Sequence, residues 1–228
     1  MNYQTLTLNC QKNFETRTHC CFGISPFNSY FSESIIEKLA VWGKNEFSNM
    51  HFFVPDIPSE YTLLAQGYSL EKSQWKARRQ GQYLKNKISR VLKGLLYSEN
   101  EIEEMILDWK KLSLNSSFLT LYDEVKMKFD SEINFQKECL EATHWVMNKK
   151  VLDTSQLTED DLKTAVKYLL CELPMFMDTP RIVKKDASVF CYHQRVNFLE
   201  QFFAGKLAQR PNVRQGFLVL EAIKENMS

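Results

Sequence analysis

A chain of 228 residues with 44% hydrophobic and 13% aromatic residues has enough apolar material for a substantial core, and its length suits one α/β domain. The formal net charge of +1 excludes bulk charge as a clue to partners, so any affinity for a polyanion must be local. No apolar run approaches the roughly 18 residues of a membrane span. Met1 to Thr18 lacks the apolar segment of a secretory signal. The six cysteines form no CxxC pair, so reduced thiols in a cytoplasmic protein are expected.

His19 to Ile24 is an apolar run of strand length, stopped by the turn-forming cluster Ser25-Pro26-Phe27-Asn28. A helix is predicted from about Ser32 to Phe47, with Ser34 and Glu37 at capping-box spacing and Ile35, Ile36, Leu39 and Trp42 on one face. Met50 to Val54 reads as a second strand, ended by Pro55-Asp56. Strand, turn, helix and strand in this order predict a βαβ unit and a parallel sheet.

Helical periodicity then covers about Leu70 to Tyr97, Glu101 to Leu112, Ser117 to Asn148 with a break near Asp130, and Thr158 to Glu172, where Pro174 is expected to end the helix. Ser188 to His193 and Gly216 to Leu220 read as late strands. No repeat, low-complexity tract or linker intervenes. The expectation is one domain over residues 1–228, an α/β Rossmann-like parallel sheet flanked by helices.

Three groups of residues carry chemistry. The turn after the first strand holds Gly23, Ser25 and Asn28. In open parallel sheets ligands bind beyond the carboxyl ends of the strands, where a serine hydroxyl would face the crevice. Gly23 would keep the approach to that serine free of bulk; equally, Ser25 and Asn28 would make an ordinary turn and cap. Tyr168 and Glu172 are four residues apart and share a helix face. Placed before Pro174 in a last turn, where the dipole favours cations, the carboxylate suits a cationic amine, or the pair is simply a surface contact. Cys191-Tyr192-His193 ends an apolar strand and either lines the same crevice or is a half-buried strand end. None of the four histidines stands at metal-ligand spacing, and no metal is expected.

Together, Gly23-Ile-Ser25-Pro-Phe-Asn28-Ser29-Tyr30-Phe31, Tyr168-xxx-Glu172-x-Pro174 and Cys191-Tyr192-His193 resemble the tRNA-dependent cyclodipeptide synthases, over about Cys20 to Leu220. Asn28 with Tyr192-His193 matches that family's Asn–Tyr–His branch. The resemblance implies a fold like the catalytic domain of class I aminoacyl-tRNA synthetases. It also implies an aminoacyltransferase that joins the aminoacyl groups of two charged tRNAs into a diketopiperazine.

By the same resemblance, Ser25 receives the first aminoacyl group, Tyr168 and Glu172 hold its amine, and Asn28 positions the acyl moiety. Tyr192 relays a proton during cyclisation, and His193 supports the catalytic loop. Cys21, Phe53, Met175 and Phe190 would lie near the first side chain, an apolar set that favours Leu, Phe or Met. An aminoacyl ester is already activated, and no G-x-G-x-x-G, P-loop or synthetase ATP signature is present, so no cofactor is expected. Ping-pong acyl transfer through a seryl intermediate would divide the condensation into easier steps.

From the residues alone, Lys72 to Ser98 holds eight Lys/Arg and no Asp or Glu. Lys72, Lys76, Arg79, Lys87 and Arg90 fall on one helical stripe, the footprint expected for the phosphates of tRNA. Two alternatives remain at this point. One is a non-catalytic, synthetase-like tRNA-binding module. The other is a Ser25–His193 hydrolase, which lacks a G-x-S-x-G elbow. A monomer is the default.

Overall fold

The computed structural model describes residues 1–150 and 157–222. In chain order the elements are β1 (Asn2–Thr5), α1 (Leu8–Glu15), β2 (His19–Gly23), α2 (Glu33–Glu46), β3 (Asn49–Val54), α3 (Ser59–Ala65), α4 (Leu70–Gly94), α5 (Glu99–Met105), β4 (Ile106–Asp108), α6 (Trp109–Leu112), α7 (Ser116–Ser131), α8 (Ile133–Lys150), α9 (Glu159–Val183), β5 (Ser188–Tyr192), α10 (Asn197–Phe203) and β6 (Gln215–Glu221).

The strands form one sheet in the order β1-β6-β5-β2-β3-β4. β6, β5, β2, β3 and β4 are mutually parallel, and β1 pairs antiparallel with β6 at the edge. Strand β2 is buried along its whole length, and β5 and β6 are buried at all but their last residues. That explains why they read as continuous apolar runs and not as alternating patterns. Two apolar clusters result, one holding Cys21, Phe53 and Phe190, the other Cys20, Phe22 and Cys191, as the period-two alternation of strands requires. From β2 the chain order runs outward to β3 and β4, then returns to β5 and β6 on the other side. The order therefore reverses between β2 and β5, and a crevice for ligands opens beyond their carboxyl ends. This is the α/β, Rossmann-like sheet expected from the sequence.

Several boundaries differ from the sequence reading. Ser32, not Ser34, caps α2, accepting the Ile35 N–H at 3.3 Å. The segment Glu101 to Leu112 is not one helix, because the three buried residues of β4 interrupt it. Helix α9 runs through Pro174 and Pro180 to Val183. Leu170 to Pro180 are nearly all buried, and this packing offsets the lost backbone hydrogen bond. The break falls instead at Asp178 (φ −156°, ψ 61°), whose carboxylate accepts the Arg181 N–H and the Asn212 amide. Glu172 therefore lies within a helix, and no helix C-terminus acts on it. Strand β1 and helices α1, α3 and α10 had no counterpart in the sequence reading.

Helix α4 is locked to the carboxyl ends of β3 and β4. Lys85 Nζ donates to Asp56 at 3.0 Å and to Asp108 at 2.7 Å, and both aspartates are buried. Asp56 also accepts the Trp109 N–H, and Asp108 accepts the Lys111 N–H. Gly81 permits this approach, since a Cβ there would lie 2.3 Å from the Asp56 Cβ. Among the described residues, no helix is long and apolar enough to cross a membrane.

Candidate active site

The crevice between β2 and β5 opens into a cavity of about 610 Å³ lined by Ser25, Asn28, Tyr168, Glu172, Phe190 and Tyr192, among others. Ser25 leaves the end of β2, Tyr192 ends β5, and the sheet register brings these strands side by side. Ser25 Oγ lies 3.1 Å from Tyr192 Oη. Tyr168 reaches over from α9 and sets its phenol beside Ser25 and Glu172, its neighbour one helical turn on, so that both act on its hydroxyl.

Burial raises the pKa of Tyr168, and Glu172 adds to the effect; burial likewise raises Tyr192. Both phenols therefore stay protonated at neutral pH and serve as donors. One arrangement uses every hydroxyl once: Tyr192 donates to Ser25, Ser25 to Tyr168, and Tyr168 to the Glu172 carboxylate. Such a chain leads from the serine oxygen to a carboxylate.

His193 plays a different part. The backbone N–H of Tyr30 donates to Asn28 Oδ1 at 3.0 Å, which fixes the amide so that Nδ2 faces His193. Asn28 Nδ2 then donates to His193 Nε2 at 2.9 Å, so this nitrogen is unprotonated. Burial pushes the imidazole down to about 4, which keeps it neutral at pH 7. Its ring stacks on Tyr30 at 4.1 Å between centroids and meets Phe31 edge-on. His193 thus braces the loop from Ser25 to Phe31, and its Nε2 is engaged by Asn28, not by Ser25. A Ser–His hydrolytic pair does not form.

Gly23, at the end of β2, lines the cavity beside Ser25. A Cβ there would sit 2.7 and 2.8 Å from Phe190 ring atoms and 3.4 Å from Tyr192, so its absence makes room for the pocket wall. Of the apolar set, Phe190 lines the cavity, whereas Cys21, Phe53 and Met175 lie in the buried cluster behind it. Leu169, Phe176 and Gln194 also line the cavity, and the last two carried no assignment from the sequence. Gln194 also hydrogen-bonds Tyr192. Its adjacency to Tyr192-His193 was the available signal.

The basic stripe divides into two halves. Lys72 and Lys76 lie over the Tyr68 ring, and Arg79 lies over exposed Trp75. Toward the other end, Arg90 pairs with Glu33, and Lys87 lies over Tyr83 while donating to the Phe31 carbonyl at 3.1 Å. Among the described residues, no three His, Cys, Asp or Glu side chains converge as a metal site would need.

The cyclodipeptide synthase family model matches residues 1–222. The chain belongs to that family. The family comprises enzymes, and the resemblance seen in the three motifs is thereby confirmed at the level of the whole chain. The chain is 27% identical to the cyclo(L-leucyl-L-leucyl) synthase of Bacillus subtilis over 231 residues, covering 99% of this chain and 91% of that one. A crystal structure of a cyclodipeptide synthase from Bacillus thermoamylovorans superposes with a TM-score of 0.87 at 27% identity, over 98% of this chain and 96% of that one. The fold is also shared, at a TM-score of 0.83 and 22% identity over 95% and 91% of the two chains, with a Mycobacterium tuberculosis protein. That structure is described as demonstrating that cyclodipeptide synthetases are related to type I tRNA synthetases.

Proposed function

We propose that this cyclodipeptide synthase uses two aminoacyl-tRNAs in a ping-pong reaction through aminoacyl and dipeptidyl esters of Ser25. The observation that carries the reading is the convergence on one cavity of Ser25 and Tyr192, 3.1 Å apart, with Tyr168 and Glu172. Ser25 Oγ attacks the ester carbon of the first aminoacyl-tRNA, and its proton passes along these side chains as the tRNA 3′ oxygen leaves and is reprotonated. The new seryl ester carries an ammonium group, which Glu172 and Tyr168 hold and from which Glu172 takes a proton. The freed amine attacks the ester of the second aminoacyl-tRNA, releasing that tRNA and leaving a dipeptidyl ester on Ser25. The terminal amine then attacks the seryl ester and closes the ring, and the proton it loses passes through Tyr192 to Ser25 Oγ as the ester bond breaks.

Asn28 and His193 hold the loop that carries the nucleophile, and Gly23 admits the Phe190 wall. Phe190, backed by Cys21, Phe53 and Met175, favours a leucine, phenylalanine or methionine as the first residue. The Bacillus subtilis relative joins two leucines. The stripe Lys72, Lys76, Arg79, Lys87 and Arg90 guides the tRNA phosphates. Every group named comes from one chain, so a monomer acting among cytoplasmic charged tRNAs suffices.

The test is incubation with a mixture of charged tRNAs and a search for diketopiperazines by mass spectrometry. Wild-type protein should release a leucine-, phenylalanine- or methionine-containing ring, and a single labelled aminoacyl-tRNA should label the Ser25 peptide. Ser25→Ala should do neither. Normal yield from the alanine variant removes Ser25 from the reaction.

A further inference from the structure

Among the described residues, four non-glycine residues have positive φ: Arg17, Phe27, Leu96 and Lys184. Arg17 and Leu96 each follow the C-cap of a helix, and Lys184 is itself a C-cap, positions where the left-handed conformation commonly ends a helix. Phe27, at φ 60°, has no such reason. It lies midway between β2 and α2, a bulky residue held in a region that disfavours it. The result is an aromatic side chain that is 44% exposed and lines the mouth of the cavity. Among the described residues the Phe27 ring pairs with no other aromatic ring, whereas its loop neighbours Tyr30 and Phe31 pack on His193.

Phe27 follows Ser25 by two residues, so their Cα atoms are separated by at most about 7 Å. The loop is also tied to the basic stripe, because Lys87 on α4 donates to the carbonyl of Phe31. A strand of phosphates following that stripe would arrive at this loop. In an aminoacyl-tRNA the ester that Ser25 must attack is joined through one ribose to the terminal adenine. The base is then carried to the rim of the cavity as the ester enters it.

We propose that Phe27 is the platform on which the adenine of the 3′-terminal nucleotide stacks, so that it positions the ester over Ser25. The inference rests on the reading that Ser25 accepts aminoacyl groups from tRNA. A base has two apolar faces and needs only one flat partner, and such stacking tolerates a plain phenyl ring. The backbone conformation aims the ring outward, where a hydrophobic side chain would otherwise turn inward.

The experiment uses full-length protein and leucyl-tRNA carrying 2-aminopurine in place of the 3′-terminal adenine. Phe27→Trp keeps an aromatic face, Phe27→Leu keeps bulk without one, and Phe27→Gly removes the ring and relieves the backbone. Wild type and Phe27→Trp should quench the fluorophore on binding. The Leu and Gly variants should not, and should raise the KM for Ser25 acylation by about tenfold, within the range expected for one stacked base. Acylation at saturating substrate should stay within about twofold of wild type. Quenching by the leucine variant equal to wild type, or an unchanged KM in both ring-free variants, overturns the proposal while acylation still reports on Ser25. A KM effect that changes with the amino acid while quenching persists assigns Phe27 to the side-chain pocket, and also overturns it. Absence of any Ser25 label in wild type instead defeats the underlying reading.

Discussion

Lys85→Met removes a single charge from the buried cluster that joins α4 to the sheet, and keeps most of the side-chain volume. In the wild type, Nζ serves two carboxylates at 3.0 and 2.7 Å, with side-chain exposures of 21% for Lys85, 7% for Asp56 and 11% for Asp108. Burial pushes the Asp108 carboxyl up, but the Lys85 and Lys111 donors outweigh it and hold it below the ordinary range. Burial likewise opposes the charge on Lys85, and the two aspartates outweigh that, raising its pKa. Without the cation, two carboxylates face each other at the ends of β3 and β4. Breaking a buried pair costs roughly 3–5 kcal/mol, and the partial exposure of Lys85 points to the lower end, about 3 kcal/mol.

Urea unfolding followed by circular dichroism at pH 7 should show a lower midpoint with an unchanged slope. The pH dependence supplies the sharper test. Asp108 has a depressed folded pKa, so its contribution in the wild type is full above the unfolded value near 3.9 and is lost as pH falls through the folded value. In the variant the stranded carboxylates gain from protonation, so the stability gap should narrow as pH falls from 7 toward 4. An unchanged midpoint at pH 7, or a gap that stays constant to pH 4, refutes the assignment of Lys85 as the counter-charge.

Glu172→Gln keeps shape but cannot take a proton, and turnover should fall by at least about 10²-fold; unchanged turnover across pH would place Glu172 outside the reaction. Gly23→Ala drives a methyl into the Phe190 ring and should cost about 1–3 kcal/mol in thermal unfolding, with a larger relative loss of activity because Phe190 and Tyr192 must shift. Replacing Lys76 and Arg79 by Ala should weaken tRNA binding and flatten its log–log salt dependence by about 0.7–0.9 per lost contact. Arg78 with Lys93 should do less, and equal losses would indicate bulk charge. On the opposite rim of the sheet, His19 bonds Ser188 and His51 at 2.7 Å each. Burial, with Lys185 and Lys111 nearby, holds His51 down to about 4, and burial with His51 and Lys185 lowers His19. Their folded values lie below the unfolded value near 6.5, so this stability is full above about 6.5 and lost as pH falls toward 4, of order 3 kcal/mol for His51. A His51→Gln variant whose unfolding midpoint keeps the wild-type slope over that window would exclude His51 as the source.

The strands β2, β5 and β6 were legible because burial on both faces writes them as short apolar runs between turn residues, and β3 because its last three residues are buried in the same way. β4 was not, since three residues carry no period, and β1 exposes three of its four side chains and offers no apolar signature. Pro174 misled for a physical reason: a proline's cost inside a helix is real, and only the surrounding core, invisible in a linear reading, offsets it. The motifs around Ser25, Glu172 and Tyr192 were visible as residues, while their convergence depended on the strand order. The positive charge of α4 was equally plain. Lys85, however, belongs to the interior through Asp56 and Asp108, 29 and 23 residues away, a pairing that only the fold reveals.

Where the strand order reverses also governs when the nucleophile becomes competent. Ser25 follows the first strand of the parallel set, whereas Tyr168, Glu172 and Tyr192 belong to α9 and β5, more than 140 residues later in synthesis. While the chain is still being translated, beside a ribosome supplied with charged tRNAs, the early serine has no phenol and no carboxylate to activate it. On the proposed chemistry, a nascent or truncated chain is therefore inert toward the very esters that surround it. On that proposal aminoacyl transfer waits until β5 lies beside β2, so the pairing of these two strands is the step that arms the early serine.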